Sequence, residues 1–249
     1  MVEKTQPFTQ DAGYGGNGAL GLIVLATDET LEPEVGPVIQ AAGKPLYHAR
    51  IPSQPEVTRE TLLQMQADLP TAAALLPRNV NFSAIGYGCT SAATLIGPER
   101  VAAAIHTAHK DVPVTNPITA TLAACQRMNV KKLGFVTPYV ADVSAAMRAM
   151  LERHDLEITA FASFQQIKEQ VVAQISEASV LQAILDVSQN CDAVFTSCTN
   201  LRAFNIIEQA EIQIGKPVIS SNSALAWHML RLAGATGKLQ GPGQLYTLS

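Results

Sequence analysis

The sequence predicts an α/β protein built from two similar halves, each with a central parallel sheet flanked by helices. Three observations carry this reading. Short apolar runs alternate with amphipathic stretches along all 249 residues, as expected of strands joined to parallel neighbours through helices. The series restarts near the middle of the chain. A Cys-Thr pair also follows a strand in each half, in "IGYGCTSAATLIG" (Ile85–Gly97) and "VFTSCTNLRAFNI" (Val194–Ile206).

Each element follows from local pattern. "LGLIVLAT" (Leu20–Thr27) is a continuous apolar run ending in polar residues, the mark of a buried parallel strand. "VTRETLLQMQADL" has Thr58 as an N-cap and apolar residues at helical spacing. "FSAIGYG" is the next strand, Ser91–Lys110 an Ala-rich helix, "VPVTNP" a short third strand and "ITATLAACQRM" its helix. The second series runs from the strand "KKLGFVTPY" and helix "SAAMRAMLERH" to the strand "EITAFASF" and a helical span Lys168–Gln189. It ends with the strand "CDAVFTSC", a helix Leu201–Ile214, the strand "KPVISSN" and the helix "SALAWHMLRLAG".

Spacing supports duplication. Thr27 to Cys89 spans 62 positions and Thr137 to Cys198 spans 61. "PVTNPITATLAA" also echoes "PVISSNSALAW", with a slip of five residues relative to the cysteine. The expected units are 1–120, completed by the C-terminal helix within 222–249, and 121–221. The glycine-rich tract Gly13–Gly18 precedes a strand instead of following one, which suits an N-terminal arm and not a phosphate loop.

Composition narrows the function. The chain is 47% hydrophobic and 15% charged, with a formal net charge of -4. That balance argues against nucleic-acid binding, which calls for a basic face. The N-terminus lacks a secretory pattern and no window is long enough to span a bilayer, so a cytoplasmic protein is expected. Cys89, Cys125, Cys191 and Cys198 are then expected as thiols, and none has metal-ligand spacing to a histidine.

In open parallel sheets ligands bind at the carboxyl ends of strands. A thiol there meets free N–H groups and the positive end of a helix dipole, which favour thiolate over thiol. The hydroxyls of Thr90, Ser91 and Thr199 would help those N–H groups hold a carboxylate or oxyanion. If the halves face each other, Cys89 and Cys198 converge on one small ligand, as acid and base or as nucleophile and proton partner. A lone cysteine at a strand end is usually packing; the duplicated setting tips the balance for this pair, whereas Cys125 and Cys191 lack it and read as structural. His228 is expected to pack, His106 and His109 to face solvent, and Asn116 and Asn222 to brace loops. Arg202 is equally a surface residue or a carboxylate ligand.

"GYGCTSA", "GFVTPY" and "FTSCTN", in that order across the whole chain, resemble the aspartate/glutamate racemase superfamily, in its branch of maleate cis–trans isomerases and arylmalonate decarboxylases. The resemblance implies two Rossmann-like halves with the active site in the cleft between them, no cofactor, and Cys89 and Cys198 as the catalytic pair. It implies that Thr90, Ser91 and Tyr139 hold a carboxylate. Decarboxylases of the branch carry glycine where this chain has Cys89, so the resemblance points to an isomerase of a small carboxylate or dicarboxylate, most like maleate isomerase. Racemases and epimerases of α-substituted acids, ectoine-utilisation-type proteins among them, and a non-catalytic acid-binding protein stay open. A homo-oligomer is compatible by analogy. Isomerases have an asparagine where this chain shows Thr27, and another near Gln165 and Gln166, so the carboxylate clamp differs.

Overall fold

The computed structural model describes residues 4–249. Strands β1 (Ala19–Leu25), β2 (Leu46–Ile51), β3 (Phe82–Gly88) and β4 (Val114–Thr115) form a parallel sheet in the order β2-β1-β3-β4. Strands β5 (Lys132–Tyr139), β6 (Glu157–Gln166), β7 (Ala193–Thr196) and β8 (Val218–Ser220) form a second in the matching order β6-β5-β7-β8. The restart in the sequence is thus a repeat of topology. All seven residues of β1 are buried, as a strand covered on both faces requires.

The helices are α1 (Leu31–Ala41), α2 (Arg59–Ala73), α3 (Thr90–Ile96), α4 (Pro98–His106), α5 (Pro117–Arg127) and α6 (Ala141–Glu152). They continue with α7 (Glu169–Gln174), α8 (Glu177–Asp186), α9 (Ile207–Ile214), α10 (Ser221–Leu232) and α11 (Gln244–Thr247). Thr58 caps α2 as expected, in a reciprocal box with Thr61. Among the described residues no helix is long and apolar enough to cross a membrane.

Four expectations are corrected. The helix over Ser91–Lys110 is two helices, because Gly97 adopts φ +96° and Pro98 starts α4. The helix over Lys168–Gln189 also divides, at Ile175, where Ser176 caps α8 by accepting from the Ser179 N–H. The helix over Leu201–Ile214 begins only at Ile207, after a 3-10 turn at Phe204–Ile206. Finally, α1 and β2 are additional elements. Pro33, Gly36 and Pro37 disguise α1, and β2 is an edge strand with only Ala49 and Ile51 buried.

Two glycines allow the close packing that positions the site. A Cβ at Gly86 in β3 would meet the Met229 sulfur at 2.6 Å, so glycine there lets α10 lie against the first sheet. A Cβ at Gly88 would collide with the Leu31 side chain, so glycine lets α1 close over the strand end beside Cys89. Helix α10 follows the last strand of the second sheet, and its placement on β3 is what carries Ser221 between the two cysteine corners.

Candidate active site

Cys89 follows β3 directly and is the N-cap of α3. Its backbone is extended (φ -149°, ψ 114°) and its Sγ accepts from the Ala92 N–H at 3.4 Å. Cys198 lies two residues beyond β7 in a strained conformation, φ +100°, which a non-glycine residue rarely adopts. Neighbouring bonds hold it there. The Cys198 N–H donates to Ser221 Oγ at 3.0 Å, and the Asn200 N–H donates to Cys198 Sγ at 3.3 Å.

Ser221, the first residue of α10, also bonds Thr90 Oγ1 at 2.8 Å, so Thr90, Ser221 and Cys198 form one polar chain between the two corners. Thr199 Oγ1 adds a second tie by donating to the Gly88 carbonyl at 3.4 Å. Ser91 is buried and its Oγ has no hydrogen-bond partner, nor has that of Ser197.

Tyr139, at the end of β5, lies with its hydroxyl 2.9 Å from Cys198 Sγ and 3.0 Å from Glu169 Oε1. A tyrosine hydroxyl carries one hydrogen. When that hydrogen goes to Glu169, the Cys198 thiol donates to Tyr139; when it turns to sulfur, it supports the thiolate. The line Cys198–Tyr139–Glu169 can therefore carry a proton out of or into the thiol.

Sequence reasoning missed two acids here. Glu169 begins α7 and is buried; Asp28 follows β1 and is buried as well. Thr27 itself is only half-buried, and its hydroxyl bonds Ser53 Oγ at 2.9 Å. Gln165 is exposed and the Gln166 amide donates to the Phe164 carbonyl, so neither side chain joins the cysteines; Glu169 does. The signals were faint. Asp28 is one residue beyond the strand end that drew notice to Thr27, and Glu169 lies among exposed polar neighbours.

The expected depression of the thiol pKa is also overturned for this closed site. Cys89, Tyr139 and Cys198 are each 4% exposed. Burial pushes Cys89 up to about 12, with the Ala92 N–H pulling down and the Glu169 and Asp28 charges pushing further up. Burial likewise raises Cys198 well above its ordinary value, the Glu169 charge adds to the rise, and the Tyr139 hydrogen bond opposes it. Burial raises Asp28 and Glu169 too.

Other sequence candidates fall outside this cluster. His228 Nδ1 pairs with Thr115 Oγ1 at 2.7 Å, and burial lowers its pKa. His106 Nε2 lies 2.9 Å from the Val112 carbonyl; His109, expected at the surface, is buried, 3.0 Å from the Ala73 carbonyl. Arg202 donates to the Ile175 carbonyl at the surface. Asn116 caps α5, and Asn222 donates to Glu34 and to the Thr199 carbonyl. Cys125 and Cys191 are buried apart from the pair. Cavities of about 600 Å³ and 620 Å³ lie along α5 and α10, and none of the cluster residues lines them.

The sequence profile of the arylmalonate decarboxylase family matches residues 98–246. The arylmalonate decarboxylase of Bordetella bronchiseptica is 27% identical over 139 residues, 54% of this chain and 58% of that protein, so the matched segment spans less than two thirds of that relative. Among solved structures, a maleate isomerase variant from Pseudomonas putida crystallised with maleate superposes with a TM-score of 0.85 at 21% identity, covering 93% of this chain and 98% of that one. A Nocardia farcinica maleate cis–trans isomerase variant, solved with a covalently bound succinylcysteine intermediate, gives 0.82 at 21% identity over 93% and 99% of the chains. At these identities the superpositions establish the shared fold.

Proposed function

Because the chain belongs to the arylmalonate decarboxylase family, we propose that it is a cofactor-independent isomerase of a small carboxylate that works through Cys89 and Cys198. The observation that carries this reading is the hydrogen-bonded chain from Thr90 through Ser221 to Cys198, which ties the two cysteine corners into one buried unit. The adduct seen on cysteine in the Nocardia protein supports a covalent route.

In that route Cys89, as thiolate, adds to one alkene carbon of the acid, and Cys198 delivers its proton to the adjacent carbon. The former double bond turns as a single bond. Cys198 then takes a proton back, the C–S bond breaks and the isomeric alkene leaves. Tyr139 steadies Cys198 throughout, while Thr90, Ser91 and Thr199 hold the carboxylate. Entry of substrate has to open the site, because both thiols are sheltered from solvent.

The two acids beside the thiols favour one second reading, racemisation or epimerisation of an α-substituted acid with the same cysteines as acid and base. Incubation with maleate and with the D and L forms of aspartate and glutamate in D₂O separates the readings. Fumarate formed from maleate, with deuterium entering at an alkene carbon through Cys198, supports cis–trans isomerisation; deuterium at Cα of aspartate or glutamate with loss of optical activity supports racemisation. If no acid turns over while Cys89→Ser and Cys198→Ser proteins keep ligand affinity, the chain is a binding protein and the isomerase reading fails.

A further inference from the structure

Asp28 has no part in the thiol chemistry above, yet it is only 3% exposed. Its Oδ1 accepts from the Thr30 and Leu31 N–H groups, both at 2.8 Å. Its Oδ2 is buried without a partner. The Thr199 hydroxyl comes close enough to lower the Asp28 pKa but is turned to the Gly88 carbonyl.

Glu169 approaches from the other half, and Asn200 lies between the two acids. The Asn200 amide donates to Glu169 Oε2 at 3.0 Å and reaches the carbonyl of Thr27, the residue before Asp28, at 3.5 Å. The Asp28 charge raises the Glu169 pKa, and both acids act on the two thiols.

Among the described residues neither carboxylate has a basic partner within ion-pairing distance. Arg50 reaches the loop after β1 and its charge lowers the Asp28 pKa from a distance, but it donates to the main-chain carbonyls of Leu25 and Asp28 and pairs with Glu32 on the outside. The hydrogen bonds that Glu169 and Asp28 Oδ1 accept come from neutral donors and oppose the rise that burial imposes on both carboxyl groups, and a cation beside them would favour the ionised form further. A dianionic guest would add two like charges to a closed space in which neither acid is ion-paired. A guest with an ammonium group would give Oδ2 its missing donor and balance the acids.

On the reading of this cleft as the substrate site, we infer that Asp28 and Glu169 form a cation-binding pole, and that the substrate is a small acid bearing an ammonium or similarly compact cationic group. Such a pole selects against simple dicarboxylates.

Calorimetric titration with unreactive probes of matched length tests this: β-alanine against succinate, and 4-aminobutanoate against glutarate. The wild type is expected to bind the aminated member of at least one pair about tenfold tighter or more, the scale of one charged hydrogen bond. Asp28→Asn removes that preference, since an amide satisfies a carboxylate better than an ammonium, and Glu169→Gln reduces it. Circular dichroism checks that both near-isosteric variants fold, and either one suffices if the other does not. A tighter dicarboxylate in every pair, no binding of any aminated probe, or a preference that survives substitution overturns the inference. The titration requires no turnover, so an inert wild type would sink the isomerase reading and leave this one standing.

Discussion

The two cysteine corners occupy matching places in the repeated topology but are built differently. Cys89 has relaxed extended backbone and one long backbone contact to sulfur. Cys198 has φ +100°, an N–H bound to Ser221, and a sulfur held by both Tyr139 and the Asn200 N–H. Strain of this kind costs about 1–3 kcal/mol and persists only where surrounding bonds fix it. The repeated topology gives two equivalent positions; the bonds around them leave one sulfur lightly held and the other tightly held, which on the proposed function fits attack on carbon at Cys89 and proton transfer at Cys198.

The largest expected effect breaks that division of labour. Cys89→Ser and Cys198→Ser should each cut turnover at least about 10³-fold, as removal of a member of a catalytic unit does. They should differ in what they trap. With an alkene acid substrate, Cys198→Ser is expected to accumulate a mass adduct on Cys89, while Cys89→Ser accumulates none. Adducts on Cys198 instead would exchange the roles.

Next comes the line from Cys198 through Tyr139 to Glu169. Tyr139→Phe removes the hydroxyl that lowers the Cys198 pKa, so the midpoint of Cys198 ionisation should move up. Turnover should fall about 100-fold, the scale of lost acid–base assistance. Thiolate absorbance, read as the difference between Cys89→Ser proteins with and without Cys198, follows the midpoint without needing reagent access. An unchanged midpoint would leave Tyr139 a packing residue.

Much of the pairing was legible from the chain. A strand, a cysteine and a threonine repeated at similar spacing are local features, and local features survive in sequence. Thr58 at the start of α2 was legible for the same reason. The acids were not, because Asp28 and Glu169 matter only where Asn200 draws their loops together, and nothing in "LATDE" or "IKEQ" marks that meeting. Ser221 reads as an ordinary strand-end serine until α10 crosses onto β3. The burial that raises both thiol pKa values is likewise a property of closure and not of a strand end. Helix α1 was hidden by its prolines and β2 by its half-exposed edge position.

Ser221→Ala sharpens the comparison with a smaller effect. It leaves the Cys198 N–H and the Thr90 hydroxyl unpaired in a buried place, which should cost about 1–3 kcal/mol in chemical denaturation. Turnover should fall through kcat, as the strained corner relaxes. Equal losses of kcat and affinity would mean that Ser221 shapes the whole cleft.

The smallest effect lies behind the Cys198 corner. Glu34 accepts from the Asn222 amide at 2.6 Å and the Phe204 N–H at 3.2 Å, and burial pushes its pKa from 4.5 up to about 7. The folded chain therefore keeps a proton between those values that the unfolded chain has lost. The resulting stability is fully present below about pH 4.5 and disappears as pH rises through about 7. Glu34→Gln cannot titrate, so its thermal stability should fall less across that window, and its deficit against wild type should narrow toward alkaline pH. A deficit that stays constant with pH would assign the window to Asp28 or Glu169, the other buried acids at this end of the sheets, and place the pH-sensitive part of the asymmetry inside the cleft instead of behind it.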